Sequence, residues 1–383
     1  MIPFRFSSLA GFFLVFPFLV APSPDLPDWA QVQMVDKAAT AETKALYANL
    51  MRIAPSMTLF GQEDALAYGV EWKDWHKKRS DIKDVCGQHP ALYGWELGML
   101  GESEQNLDSV RFDHMQQWIK QVYRMGGVNT ISWHMNNFVT GGNTWDVGEK
   151  VVREILPEGK HHQDFLQKLD HFAAFVDELQ VGWLKKKVIP IIFRPFHEHT
   201  GGWFWWGKSH CTPEEYRALW QFTVHYLRDT KGLHNLIWCY SPDIVDSEEA
   251  YLEYYPGDEY VDILGLDDYH DFRAGQDPSK LQQRLEMLVG LAKAKQKVAA
   301  LSETGLESIP QADWWTRSFS PNFLHDSPAS NIAYVMVWRN ARPDHHYGPY
   351  PGQGSASDFL EFIQQPSIIL EDDLPNLYRI PSY

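Results

Sequence analysis

The stretch Ile191-Ile192-Phe193-Arg194-Pro195-Phe196-His197-Glu198-His199-Thr200-Gly201-Gly202-Trp203-Phe204-Trp205-Trp206-Gly207 carries an apolar strand straight into a charged pair and then into four aromatics. A short apolar run such as Ile191 to Phe193 reads as a buried strand. The residues after that run have the composition of a carbohydrate site. Indole and phenyl faces stack on the C–H side of a sugar ring, and a carboxyl group beside them can protonate a glycosidic oxygen.

Outward from this strand, short apolar runs alternate with amphipathic helices from Ser56 onward. The expected strands are Thr58-Leu59-Phe60, Leu92 to Leu97, Thr130 to Trp133, Val188 to Phe193, Leu236 to Cys239, Ile263 to Leu266, Val298 to Leu301 and Tyr334 to Trp338. Between them, Met115, Trp118, Ile119 and Val122 recur at helical spacing, as do Leu166, Leu169, Phe172, Ala173 and Val176, and Leu281, Leu285, Leu288 and Ala292. Thr212 before Pro213-Glu214-Glu215 marks another helix start. Eight strand-helix units predict an α/β fold, a closed (β/α)8 TIM barrel. An open doubly wound sheet would show a Gly-rich phosphate loop after an early strand, and the chain has none. Arg342 to Gly354 reads as a long loop after strand eight, Ala356 to Phe362 as the closing helix, and Glu371 to Tyr383 as a tail laid over the barrel.

The first 23 residues, with an early Arg5 and the apolar stretch Leu9 to Ala21, read as a secretory signal cleaved near Ala21 to Ser23. A membrane anchor is the alternative for that segment. Residues 24–55 read as a Pro-rich linker and a helix from about Val32 to Met51, and 56–383 as a single catalytic domain. The expected setting is secreted or periplasmic, with no integral membrane segment after cleavage and a monomeric chain. A formal net charge of −16 over 383 residues argues against nucleic acid or an anionic membrane as partner, and leaves a neutral polymer as a suitable one. Cys86, Cys211 and Cys239 have no metal-site spacing; one disulfide with a spare thiol and three buried thiols are both open.

In a barrel, residues just past the C-terminal ends of the strands converge on one mouth. Those residues are Trp133-His134, His197-Glu198, Tyr240, Asp267 to His270, Ser302-Glu303 and Trp338-Arg339. Glu198 and Glu303 each follow an apolar strand directly, so two carboxyls on different strands can serve as acid/base and nucleophile. The blander readings are a salt bridge to Arg194 or another barrel arginine for Glu198 and a helix N-terminal acid near Thr304-Gly305 for Glu303. Tyr269 has packing as a strong rival role, and its phenol can also hydrogen-bond a nucleophile and keep it anionic. His134, His197 and His199 lack an HExxH helix or a compact carboxylate cluster, so no metal and no diffusible cofactor is expected. His197 can equally be a core histidine beneath Glu198. Of the aromatics at 203–206, several belong to the core and some should reach solvent or ligand. Trp338 is placed to floor the sugar, and Arg339 to bond neighbouring hydroxyls or to form a barrel salt bridge.

The segments Arg194 to Glu198 with Gly202 to Gly207, Gly265 to Tyr269, Ser302 to Gly305, and Trp338-Arg339 together resemble glycoside hydrolase family 26, chiefly β-mannanases. The resemblance runs in order from about Met57 to Arg339. It implies retaining endo-hydrolysis of β-1,4-mannosidic bonds in mannan, glucomannan, galactomannan or manno-oligosaccharides. It also implies Glu198 as acid/base, Glu303 as nucleophile, and His134, His197, Trp203, Tyr269, Trp338 and Arg339 as substrate-contacting or supporting residues. The chain departs from the family at His199-Thr200, where members often carry an apolar residue and then Asn or Asp. Other readings are an exo-acting, mannobiose-releasing enzyme, a related β-glucanase or β-1,3-xylanase, and a non-catalytic glycan-binding protein on the same barrel.

Overall fold

The computed structural model describes residues 32–380 apart from 74–78, 149, 184–185 and 325–326. The leader-like segment 1–23 lies outside the described residues. The described residues from Gln33 onward form one compact unit. Eight parallel strands close it: β1 Thr58–Glu63, β2 Leu92–Glu96, β3 Val128–Ser132, β4 Ile191–Arg194, β5 Leu236–Tyr240, β6 Ile263–Asp268, β7 Val298–Thr304 and β8 Tyr334–Val337. Each pairs with the next, and β8 returns to β1 through Leu59↔Tyr334 to Gln62↔Val337, so the sheet is a closed (β/α)8 barrel.

All eight expected strands form, and their ends differ for physical reasons. The fourth begins at Ile191 rather than Val188, because Pro190 has no N–H for the ladder; Lys187–Val188 instead pairs antiparallel with Gln180–Val181. Strands one, five, six and seven run further than expected, into the polar residues at the mouth. The first helix starts at Ala41, not Val32, since Thr40 caps it by accepting from the Thr43 amide. That helix, α1 (Ala41–Ile53), belongs to the barrel unit: Tyr47 donates to the Asp262 carbonyl at 3.0 Å and Asn49 to that of Leu377 at 2.9 Å. Ahead of it, the Val35 amide donates to Asp262 Oδ1 at 2.8 Å.

Side-chain alternation sorts each strand into two faces. On β2, Tyr93 and Trp95 stack outward toward Trp118 of the helix Phe112–Met125, leaving Gly94 and Glu96 inward. On β4, Phe193 packs outward on Phe172 of the helix His162–Asp177, leaving Ile192 and Arg194 inward. The inward ends carry charge, and the charged layer lies just below the mouth. The closing helix spans Ala356–Phe362 as expected, and Phe359 and Phe362 pack on Phe60 of β1. The tail lies on the barrel surface, with Leu377 buried and Tyr378 donating to the Gly127 carbonyl at 2.6 Å. All three cysteines are free thiols. Among the described residues no helix is long and apolar enough to cross a membrane.

Candidate active site

Glu198 sits in a turn that the backbone adopts only under constraint: Phe196 and Glu198 have φ of 50° and 53°, in the left-handed region that residues with side chains mostly avoid. Each such residue costs about 1–2 kcal/mol and persists only where its surroundings over-determine it. Here they do. The Glu198 amide donates to the Ser241 carbonyl at 2.8 Å, Tyr216 donates to the Phe196 carbonyl at 2.8 Å, and the Trp206 indole donates to the His197 carbonyl at 2.8 Å. Trp205 ties the same loop to the segment after β3 through the Met135 carbonyl at 2.8 Å. Phe204, Trp205 and Trp206 are therefore buried scaffolding, and Trp203, 37% exposed, is the aromatic that reaches the cleft. Its indole N–H donates to Glu198 Oε2 at 2.9 Å. Desolvation, followed by the charges of Glu303, Asp267 and Asp243, holds the Glu198 carboxyl well above the usual carboxylate range.

Glu303 reaches the barrel interior by a different device. The β6–β7 register slips between Leu266↔Leu301 and Asp267↔Glu303, a bulge at Ser302. Strict alternation would send Ser302 and Glu303 to opposite faces. The bulge lets both face inward: Ser302 donates to Asp267 Oδ1 at 2.7 Å, and Glu303 meets Arg194 and Tyr269. Arg194 Nη2 donates to Glu303 Oε1, and the Tyr269 hydroxyl donates to Oε2 at 3.0 Å. Both blander readings fail on these contacts. Arg194 pairs with Glu303 and Asp267 rather than Glu198, and Glu303 ends a strand, not the start of a helix. Arg194 is one cation between two carboxyls; burial first, against the pull of Arg194 and with the push of Glu303, raises Asp267 to about 8.

His134 and His197 meet edge to face at 4.6 Å, and Trp338 lies 6.3 Å from His134. His134 is clamped by Glu96, which accepts from its ring Nδ1 at 2.6 Å and its amide at 2.7 Å. Burial alone would lower the pKa of His134, but the Glu96 charge and hydrogen bond outweigh it and raise it. His197 is lowered well below the ordinary value by burial and by the charges of His134 and Arg194, so it is neutral. Both of its ring nitrogens are buried without a hydrogen-bond partner among the described residues. Arg339 stands to one side, paired with Asp108 at 2.5 Å and bonded to the Tyr68 hydroxyl at 3.3 Å. It borders a cavity of about 560 Å³ that Tyr68, Leu107, Asp108, Trp118 and Arg342 also line. His199 is buried against Tyr216 and Tyr240, with Tyr240 Oη 3.1 Å from its Nε2, so its departure from the family pattern falls in the packing and not in the cleft.

Three participants escape the sequence reading. Glu96 ends β2, and it escapes because the expected second strand runs to Leu97 and so hides Glu96 inside the apolar run instead of placing it at the mouth. Arg194 is visible in the sequence only as a rival explanation of Glu198. Trp145, 51% exposed and stacked on His134 at 5.7 Å, lies in a loop whose path the sequence does not reveal.

The model of Glycosyl hydrolase family 26 matches residues 35–319. The GH26 β-mannanase of Bacteroides ovatus is 42% identical and superposes with a TM-score of 0.85, covering 90% of this chain and 99% of that one. The catalytic domain of a Bacillus sp. JAMB-750 GH26 endo-β-1,4-mannanase is 34% identical, with a TM-score of 0.84 and coverage of 90% and 95%. The mannan endo-1,4-beta-mannosidase of Bifidobacterium adolescentis is 31% identical over 370 residues, which are 90% of this chain and 36% of that protein, so the chain spans about a third of that relative. With the match extending over most of the barrel and the two glutamates standing at the ends of strands four and seven, the chain belongs to glycosyl hydrolase family 26.

Proposed function

We propose that this chain cleaves internal β-1,4-mannosidic bonds of mannan, glucomannan or galactomannan with retention of configuration. One observation carries the chemistry: two carboxyls at one mouth have opposite environments. Glu303 is held by a guanidinium and a phenol, both of which stabilise an anion, while Glu198 is desolvated beside negative charge, which stabilises a proton. The mannan reading is supported by the relatives, whose names specify that activity.

In the first step a Glu303 oxygen forms a bond to the anomeric carbon, the bond from that carbon to the glycosidic oxygen breaks, and the Glu198 proton moves to the departing oxygen. In the second, Glu198 takes a proton from water as the water oxygen attacks the anomeric carbon, and Glu303 leaves as carboxylate. Esterification removes the Glu303 charge that helps keep Glu198 protonated, so Glu198 becomes a better base when one is needed. Trp203, which bonds Glu198, and His134, His197 and Trp338, which pack on one another, are assigned to the sugar beside the carboxyls; Arg339 is assigned to hydroxyls further along the chain.

Reducing-sugar release from galactomannan, glucomannan, mixed-linkage β-glucan and β-1,3-xylan, with Glu303→Ala alongside and EDTA present, tests this reading. Cleavage confined to the mannans, indifferent to EDTA and lost in the variant, is expected. Cleavage of another polymer alone would overturn the substrate. With reduced mannohexaose, a spread of early product lengths is expected; a single short product from one end would overturn the endo mode.

A further inference from the structure

Tyr269 reaches Glu303 from a stretch of backbone that is gripped on the outer face of the barrel. On β6, Asp267 faces inward to Arg194 and Ser302, so alternation turns Asp268 outward and Tyr269 inward again. The Tyr269 ring is half-buried, with Tyr347 edge-on at 5.7 Å. Packing does not enclose such a ring, so the direction of its hydroxyl depends on the backbone on either side.

Both flanks of that backbone end on one cation. Arg284 is buried on the inner side of the helix Ser279–Lys295, and its Nη1 donates to Asp268 Oδ2 at 3.2 Å and to Asp271 Oδ2. Its Nη2 donates to Asp246 Oδ1 at 2.8 Å, in the segment after β5. Asp268 and Asp271 are themselves buried, and the Asp271 amide donates to Asp268 Oδ1 at 3.1 Å, closing a turn around Tyr269. Beyond the turn, Phe272 packs on Trp314 at 5.1 Å. Across the ladder, Asp268 is in register with Thr304, whose hydroxyl donates to the Asp268 carbonyl at 2.6 Å. The carbonyl just before Tyr269 is thus tied to the residue just after Glu303.

We propose that Arg284 is a positioning residue for the reaction: it fixes Asp268 and Asp271 on either side of Tyr269, and so aims the phenol at Glu303 Oε2. This rests on the reading of Glu303 as nucleophile. A planar guanidinium suits the task, because its N–H groups hold several carboxyls in set directions, whereas a lysine ammonium is a point charge. Buried ionic clusters often add little net stability over apolar packing; what this one supplies is a defined geometry at the foot of the ring that touches the nucleophile.

A double-mutant cycle on the full chain tests this, with kcat and KM measured on mannohexaose for Arg284→Met, Tyr269→Phe and the two together. Arg284→Met should lower kcat about tenfold with KM changed less than about threefold, the equivalent of one misdirected hydrogen bond. Added to Tyr269→Phe, it should lower kcat by less than about twofold, because the phenol that it aims is already gone. An arginine with a purely structural role would cost the same factor in both backgrounds; that result, or a kcat that Arg284→Met alone leaves unchanged, would overturn the proposal. If Arg284→Met does not fold, Asp268→Ala replaces it in the cycle, since that variant leaves Arg284 paired with Asp271 and Asp246, and the same pair of outcomes decides. Failure of the underlying reading is separate, since it appears as cleavage that persists in Glu303→Ala.

Discussion

At the residue scale, the site works by holding like groups in unlike surroundings. Glu198 and Glu303 are chemically identical, and only the neighbours differ. Because Glu198 must be protonated to act, activity should be lost as pH rises through its elevated pKa, so the alkaline limb should lie well above the ordinary glutamate value of about 4.3. In Glu198→Ala, kcat on polymer should fall by about 10²–10⁴-fold, and on an aryl glycoside with a good leaving group the alkaline limb should vanish. Tyr269→Phe removes one hydrogen bond to a carboxylate and should lower kcat by about ten- to a hundredfold without unfolding the chain. Glu96 and His134 give a stability prediction. The pKa of Glu96 is lowered and that of His134 raised by the pairing that overcomes their burial, so the pair stabilises the fold from about pH 4.3 upward and loses that effect as pH rises through the elevated His134 value. Glu96→Gln should therefore cost about 3–5 kcal/mol inside that window and less above it, as read by denaturant unfolding at several pH values. Glu198 and Glu303 are legible in the sequence because each directly follows an apolar run. The pairing of Arg194 with Glu303 is not, since it depends on which residues face inward, and a one-residue slip in register reverses that.

At the element scale, strand identity is legible and strand ends are not. Apolar runs identify all eight strands, but a run cannot show where pairing continues into polar residues, as in Ile263–Asp268 and Val298–Thr304. The bulge at Ser302 leaves no composition signal, yet it is what turns Glu303 toward Arg194. The aromatic run at 203–206 is mixed, as its composition suggests; what the sequence does not show is that the Trp206 indole holds the carbonyl between the two strained residues. Trp206→Phe keeps much of the packing and removes that donor. It should lower kcat about tenfold, the equivalent of one lost hydrogen bond, with a smaller change in KM, because Glu198 is displaced rather than the sugar-binding surface.

At the scale of the whole molecule, the strand-helix rhythm is enough to predict closure, and the β8–β1 ladder provides it. The two ends of the described chain are harder to read, because their amphipathic pattern does not say which surface they cover. The helix Ala41–Ile53 and the strand Ile368–Ile369, which pairs with Thr58 and Leu59, both complete the barrel. Removing residues 367–383 exposes the sites now covered by Ile368, Ile369, Leu370 and Leu377. At about 1.5–3 kcal/mol per buried side chain, this should lower the Tm by about 10 °C in a calorimetric scan. The catalytic claim is likewise a property of the assembled barrel, since it needs strands four and seven to present opposite partners to one anomeric carbon. Azide rescue tests it most directly, with an activated aryl β-manno-oligosaccharide as substrate and the configuration of the glycosyl azide read by proton NMR. Glu303→Ala should yield the α-azide, by direct displacement where the nucleophile is missing, and Glu198→Ala the β-azide, by interception of the glycosyl-enzyme. The opposite assignment of the two anomers, or the same anomer from both variants, would contradict the roles of Glu198 as acid/base and Glu303 as nucleophile.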